Sequence, residues 1–162
     1  MSIRSKDSYE TYLLDFMEEI FIVCPTCSAK AIVKAKGVNI TNLDRSAVRI
    51  VCIGCGFSKS LDEVAPNARR KRMSIMTFTI GNGIDPYFSQ PLWLVKKFGE
   101  HMLWVYNYRH LDFLEHHIQA KLRERNLNKK ANRSLGSRLP KWMTSKKNRE
   151  SVLETLKQLR EK

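Results

Sequence analysis

The sequence predicts an α+β fold in which an N-terminal helix, a four-cysteine β module, a second antiparallel β-hairpin module and C-terminal amphipathic helices follow one another. Three observations carry this. The only cysteines are two Cys-x-x-Cys pairs, Cys24/Cys27 and Cys52/Cys55. Runs rich in β-branched and aromatic residues lie beside those pairs and again within 73–108. Apolar residues at three-and-four spacing mark segments near both ends of the chain.

The elements follow in order. Over 8–20, Tyr9, Tyr12, Leu13, Phe16, Met17 and Ile20 form an apolar helical stripe, opposed by Glu10, Asp15, Glu18 and Glu19 and capped by Asp7 or Ser8. Residues 21–60 form the cysteine module, with Ala31-Ile32-Val33 and Val48-Arg49-Ile50-Val51 as strands and a polar loop over 37–46. A basic connector spans 61–72, where Pro66 and Asn67 break structure before Arg69-Arg70-Lys71-Arg72. The next module, 73–125, holds a strand at 74–80, a turn at Gly81-Asn82-Gly83 and a hairpin of 92–95 with 102–106. It ends in a helix over 108–125 carrying Leu111, Leu114, Ile118 and Leu122. A basic tail, 126–162, closes with a helix over 148–160 lined by Val152, Leu153, Leu156 and Leu159.

The 162 residues suffice for one moderate domain or for a small stapled module with a helical part. Hydrophobic residues at 43% and charged residues at 28% place the chain among ordinary globular proteins. No apolar run approaches the ~20 residues of a membrane span. The first residues, Met1 to Asp7, lack the layout of a signal peptide, so a cytoplasmic protein with reduced thiols is expected.

Two Cys-x-x-Cys pairs separated by 24 residues (28–51) let two knuckles face each other across a short sheet. Four thiolates suit Zn²⁺, which accepts tetrahedral sulfur at roughly 2.3 Å. An iron–sulfur centre fits the ligand type less well. A thioredoxin-like redox pair would occur once, in a βαβ setting. Because four thiolates leave no open position on the ion, the site is expected to be structural: one Zn²⁺ holding about 40 residues whose apolar side chains are few. Gly54 and Gly56 suit the second knuckle, whereas the first has Ser28 where glycine is more usual.

This spacing resembles the zinc ribbon, the module of transcription factor TFIIB, polymerase subunits, helicases and ribosomal proteins, over about residues 20–60. More broadly, the chain resembles small bacterial proteins described as TFIIB-type zinc-ribbon-containing. That likeness rests on Asp85-Pro86-Tyr87-Phe88, Pro91-Leu92-Trp93-Leu94, Leu103-Trp104-Val105-Tyr106-Asn107 and His110-Leu111-Asp112. It continues in Arg138-Leu139-Pro140-Lys141-Trp142-Met143 and Lys147-Asn148-Arg149. This chain lacks the two cysteines that the group carries in the turn near 96–99. Without them the chain has no cysteine ligands for a second metal site there.

The formal net charge is +13, and residues 121–162 alone hold 14 Lys/Arg against 4 Asp/Glu. Such asymmetry favours a polyanionic partner, nucleic acid first and acidic protein second, over a merely solubilising tail. The expected phosphate contacts are Arg69, Arg70, Lys71, Arg72, Lys129, Lys130, Arg133, Arg138, Lys141, Lys146, Lys147 and Arg149, with Trp142 among them. Nine of the 15 aromatic residues lie in 78–113, more as core than as a base-stacking platform. His101, His110, His116 and His117 lack a metalloprotease or nucleophile pattern, and Asp112 with His116 reads as a surface pair on a helix. A non-catalytic nucleic-acid-binding protein with weak sequence preference is the leading expectation. An adaptor docking on an acidic partner in the transcription, replication or translation machinery is the alternative.

Overall fold

A computed structural model describes residues 11–35, 37, 43–64, 83–120 and 134–162, with the backbone of Arg4–Ser5 and Leu122–Arg123. In chain order the strands are β1 (Arg4–Ser5), β2 (Glu19–Val23), β3 (Lys30–Lys34), β4 (Arg49–Val51), β5 (Ser58–Ser60), β6 (Val95–Phe98), β7 (His101–Trp104) and β8 (Leu122–Arg123). The helices are α1 (Tyr108–Gln119), α2 (Leu135–Arg138), α3 (Lys141–Thr144) and α4 (Arg149–Arg160). The strand expected over 74–80 and the four arginines and lysines of 69–72 lie outside the described residues. Among the described residues no helix is long and apolar enough to cross a membrane.

The chain separates into two compact units. In the unit of 17–107, β2, β3, β4 and β5 form an antiparallel sheet in sequence order. Strand alternation gives it one buried side: Ile20, Ile22, Ala31, Val33 and Ile50 are each no more than 2% exposed. The register sets Ile20 opposite Val33, two β-branched residues meeting across the strands, and Ile22 opposite the small Ala31. The outer edge of β2 is covered by distant chain. Val23 N–H donates to the Pro91 carbonyl (2.9 Å), Phe21 N–H to Tyr106 (2.8 Å) and Trp93 N–H to Phe21 (2.9 Å). Pairing of this kind removes an exposed strand edge. Asp85, 1% exposed, fixes the loop leading to Pro91: its carboxylate accepts from the amides of Tyr87 (2.9 Å), Phe88 (2.8 Å) and Gln90 (2.6 Å). Strands β6 and β7 then form a hairpin across Gly99-Glu100, with Gly99 at φ +56°.

In the unit of 1–16 and 108–162, α1 packs on α4. Leu111, Leu114 and Ile118 are buried from α1, and Val152, Leu156 and Leu159 from α4. Arg160 of α4 pairs with Asp112 and with Glu115 (2.7 Å) of α1. The backbones of β1 and β8 pair in parallel.

The helix expected over 8–20 is corrected. Among its described residues the chain makes a 3-10 turn over Leu13–Phe16 and enters β2 at Glu19. Phe16, Met17 and Ile20 are buried as the stripe implied, but the backbone that buries them is different. The Asp15 carboxylate accepts from Tyr12 N–H (2.7 Å) and ties the chain into a tight turn. Pairing of Glu19–Val23 with β3 then overrides the helical period. Helix α1 ends at Gln119, short of the expected 125.

Candidate metal centre

Each cysteine pair sits in the turn between two adjacent strands, and the two turns repeat one hydrogen-bond pattern. In the first, between β2 and β3, Cys24 N–H donates to Ala29 (2.7 Å) and Ser28 N–H to Cys24 (3.0 Å). In the second, between β4 and β5, Cys52 N–H donates to Phe57 (2.8 Å) and Gly56 N–H to Cys52 (2.9 Å). Ser28 and Gly56 occupy equivalent places, both left-handed at φ +60° and +73°. Gly54 is not left-handed, and a Cβ there would make only ordinary contacts, with Ala29 Cβ at 3.6 Å and Cys52 Sγ at 3.7 Å.

The sheet brings the turns face to face. All four Sγ atoms lie within 4.8 Å of one another. Cys24 Sγ is 3.7 Å from Cys55 Sγ, and Cys27 Sγ is 3.6 Å from Cys52 Sγ. A tetrahedron of sulfurs around one ion, with bonds of ~2.3 Å, has edges of about 3.8 Å. These distances therefore fit a single ion, and they are far too long for a disulfide. A multi-iron cluster would hold its thiolates farther apart. Cys24 and Cys52 are buried, Cys27 and Cys55 exposed. The four cysteines are thus positioned to bind a metal ion.

The electrostatics of the bare thiols point the same way. Partial desolvation resists ionisation at Cys24, but the amides of Cys27 and Thr26 and the neighbouring thiols outweigh it and lower Cys24 to about 6. Thr26 N–H donates to its sulfur at 3.4 Å. At Cys55 the Phe57 amide favours the thiolate, yet desolvation and the three other sulfurs push the thiol up to about 12. Four sulfurs this close cannot all ionise unaided, and a dication is what permits it.

Of the expected phosphate-binding residues, Arg138, Lys141, Lys146 and Lys147 are exposed, and Arg149 and Trp142 are half-buried. The Nε of Arg149 is buried with no hydrogen-bond partner among the described residues. The Trp142 carbonyl accepts from Asn148 Nδ2 at 2.9 Å, which ties α3 to the start of α4. Lys129, Lys130 and Arg133, like Arg69, Arg70, Lys71 and Arg72, lie outside the described residues. Of the described aromatic residues of this segment, Tyr87 (5% exposed) and Tyr106 (2%) belong to the core, while Phe88, Trp93, Phe98, Trp104, Tyr108 and Phe113 are half-buried. Asp112 turns its carboxylate to Arg160, and His116 Nδ1 bonds the Asp112 carbonyl oxygen (2.8 Å). His110 and His117 are buried in α1.

Sequence reasoning passed over Lys30, Lys34 and Arg49, three exposed cations on one side of the four-stranded sheet. They are scattered along the chain, and only alternation within strands gathers them, so counting charge along the sequence missed them. No family model, curated protein or solved structure matches the chain, and its functional reading rests on its own geometry.

Proposed function

We propose that this chain is a non-catalytic zinc-ribbon protein of the TFIIB-type group, binding nucleic acid through its basic C-terminal segment with weak sequence preference. The observation that carries the reading is the four-sulfur cluster, whose 3.6 and 3.7 Å spacings suit Zn²⁺ coordinated by thiolate alone. With every position taken by sulfur the ion polarises no substrate; it acts as a staple for β2–β5. The phosphate grip is assigned to the cations of 138–149, supported by the exposure of Arg138, Lys141, Lys146 and Lys147, together with those of 69–72 and 129–133. Backbone charge carries no base information, hence the weak preference.

The test is binding of labelled duplex and single-stranded oligonucleotides across a salt series. Log affinity is expected to fall with log salt at a slope of about −3 or steeper, as roughly four or more phosphate contacts require. Salt-independent affinity, or no retention at low salt, contradicts the reading. A second reading, an adaptor on an acidic partner in the transcription, replication or translation machinery, draws on Ile53. This residue is 88% exposed at the tip of the second knuckle, where an apolar side chain serves a protein contact better than a phosphate. Partners retained from nuclease-treated lysate, and lost in Ile53→Asp, would favour it.

A further inference from the structure

We propose that the open side of the β2–β5 sheet takes a single nucleic-acid strand, its bases on Phe21 and its phosphates on Lys30, Lys34 and Arg49. This rests on the nucleic-acid reading above and adds a second surface to it.

The register builds this side row by row. Phe21 faces Ile32, and Ile32 faces Val51, so three apolar side chains form a strip across β2, β3 and β4. All three are half-buried, whereas the alternate residues Ile20, Ile22, Val33 and Ile50 are packed beneath the sheet. Cations bracket the strip. Lys30 lies at the knuckle end with its Nζ over the Phe21 ring, 5.2 Å from its centre, so a base stacking on that face displaces the ammonium toward its own phosphate. At the other end Lys34 stands directly opposite Arg49 on β4 and Glu19 on β2, and all three are exposed. Four residues along β3 separate the two lysines by about 13 Å. Among the side chains that β2–β5 turn to this side, Glu19 is the one carboxylate.

Lys34 and Arg49 are like charges directly across a strand pair, offset on one flank by Glu19 opposite Lys34. A phosphate between Lys34 and Arg49 converts that repulsion into attraction. Arg49 Nη1 reaches Ser58 Oγ at 3.4 Å, one row nearer the knuckles, so its guanidinium lies alongside the apolar strip. A half-exposed ring flanked by cations at both ends is the arrangement that holds unpaired bases while tracking their backbone. A duplex hides its base faces and gains only the charge contacts. An acidic peptide would match the cations but offers no base to the ring.

The test uses the full metal-loaded chain, a short labelled oligothymidylate and a hairpin duplex with the same number of phosphates. The triple variant Lys30→Gln, Lys34→Gln and Arg49→Gln is expected to weaken oligothymidylate binding tenfold or more. It should also flatten the salt slope by about 2, at ~0.7 per contact on a single strand. Phe21→Leu is expected to weaken single-strand binding about fivefold or more and leave duplex binding unchanged, while Phe21→Tyr keeps both. Thermal midpoints and metal content monitor folding, and should Phe21→Leu unfold, the exposed triple variant decides alone. Wild-type affinity and slope in the triple variant, or equal losses on both probes in Phe21→Leu, overturn the proposal. If the unaltered chain retains neither probe at low salt, the nucleic-acid reading itself fails. If Lys146→Gln with Lys147→Gln abolishes binding while the sheet variants do not weaken it, only the sheet proposal fails.

Discussion

Ser28 and Gly56 hold the same place in the two knuckles, and only one of them is the residue that a left-handed backbone favours. A β-carbon at φ +60° costs on the order of 1 kcal/mol, partly offset by the greater chain entropy that glycine loses on folding. Ser28→Gly is therefore expected to stabilise the metal-loaded protein by roughly 0.5–1 kcal/mol, and Gly56→Ser to destabilise it by a similar amount, in denaturant titrations. The cluster of four cysteines was legible in the sequence because every cysteine belongs to a Cys-x-x-Cys pair. The roles of the glycines were only half legible, since Gly56 needs its conformation and Gly54 does not. Asp85 stood out only as the first residue of the Asp85-Pro86-Tyr87-Phe88 run, with no sign of what it does. Its role lies in three amides that converge only once the loop has closed. Asp85→Ala leaves those donors without their acceptor and is expected to cost roughly 3 kcal/mol in the same titrations.

At the scale of elements, β3 and β4 were legible because their β-branched residues sit on strands that pair with near neighbours in sequence. The first helix was misread because an apolar three-and-four pattern over so few residues fits equally a 3-10 turn running into a strand. What decides is the pairing of β2 with β3 on one edge and with 91–93 and Tyr106 on the other. The second of these spans some seventy residues, so no local pattern announces it. Helix α1 carries a consequence in pH. His110 is 3% exposed, stacked on Phe16 at 4.9 Å, and burial lowers its imidazole from 6.5 to about 3. Unfolded, the imidazole takes a proton near pH 6.5; folded, it stays neutral until about pH 3. Between those values the unfolded chain binds the extra proton, so stability falls as pH drops below about 6.5, by up to ~1.4 kcal/mol per unit. His110→Phe keeps a stacked ring and is expected to show a shallower loss between pH 6.5 and 5. Losses common to both proteins, such as metal release in acid, cancel in that comparison. Equal slopes would contradict this role for His110.

For the molecule as a whole, the +13 charge is readable from composition, but its surfaces are not. The run of cations toward the C-terminus stands out in the sequence, while the trio on the sheet exists only through register. Under the proposed function an ion in the sulfur cluster ties the two knuckles of that sheet together. Strands β4 and β5 have three residues each, so loss of that ion is expected to loosen them first. Cys52→Ser is accordingly expected to abolish stoichiometric metal binding and to melt the strand signal in far-ultraviolet circular dichroism. The most direct measurement of the central claim is metal content and thiol reactivity on the same purified, full-length sample. One zinc per chain is expected, with the four thiols unreactive until a strong chelator or acid removes the ion. Freely reactive thiols in the native protein, with no zinc bound, would contradict it.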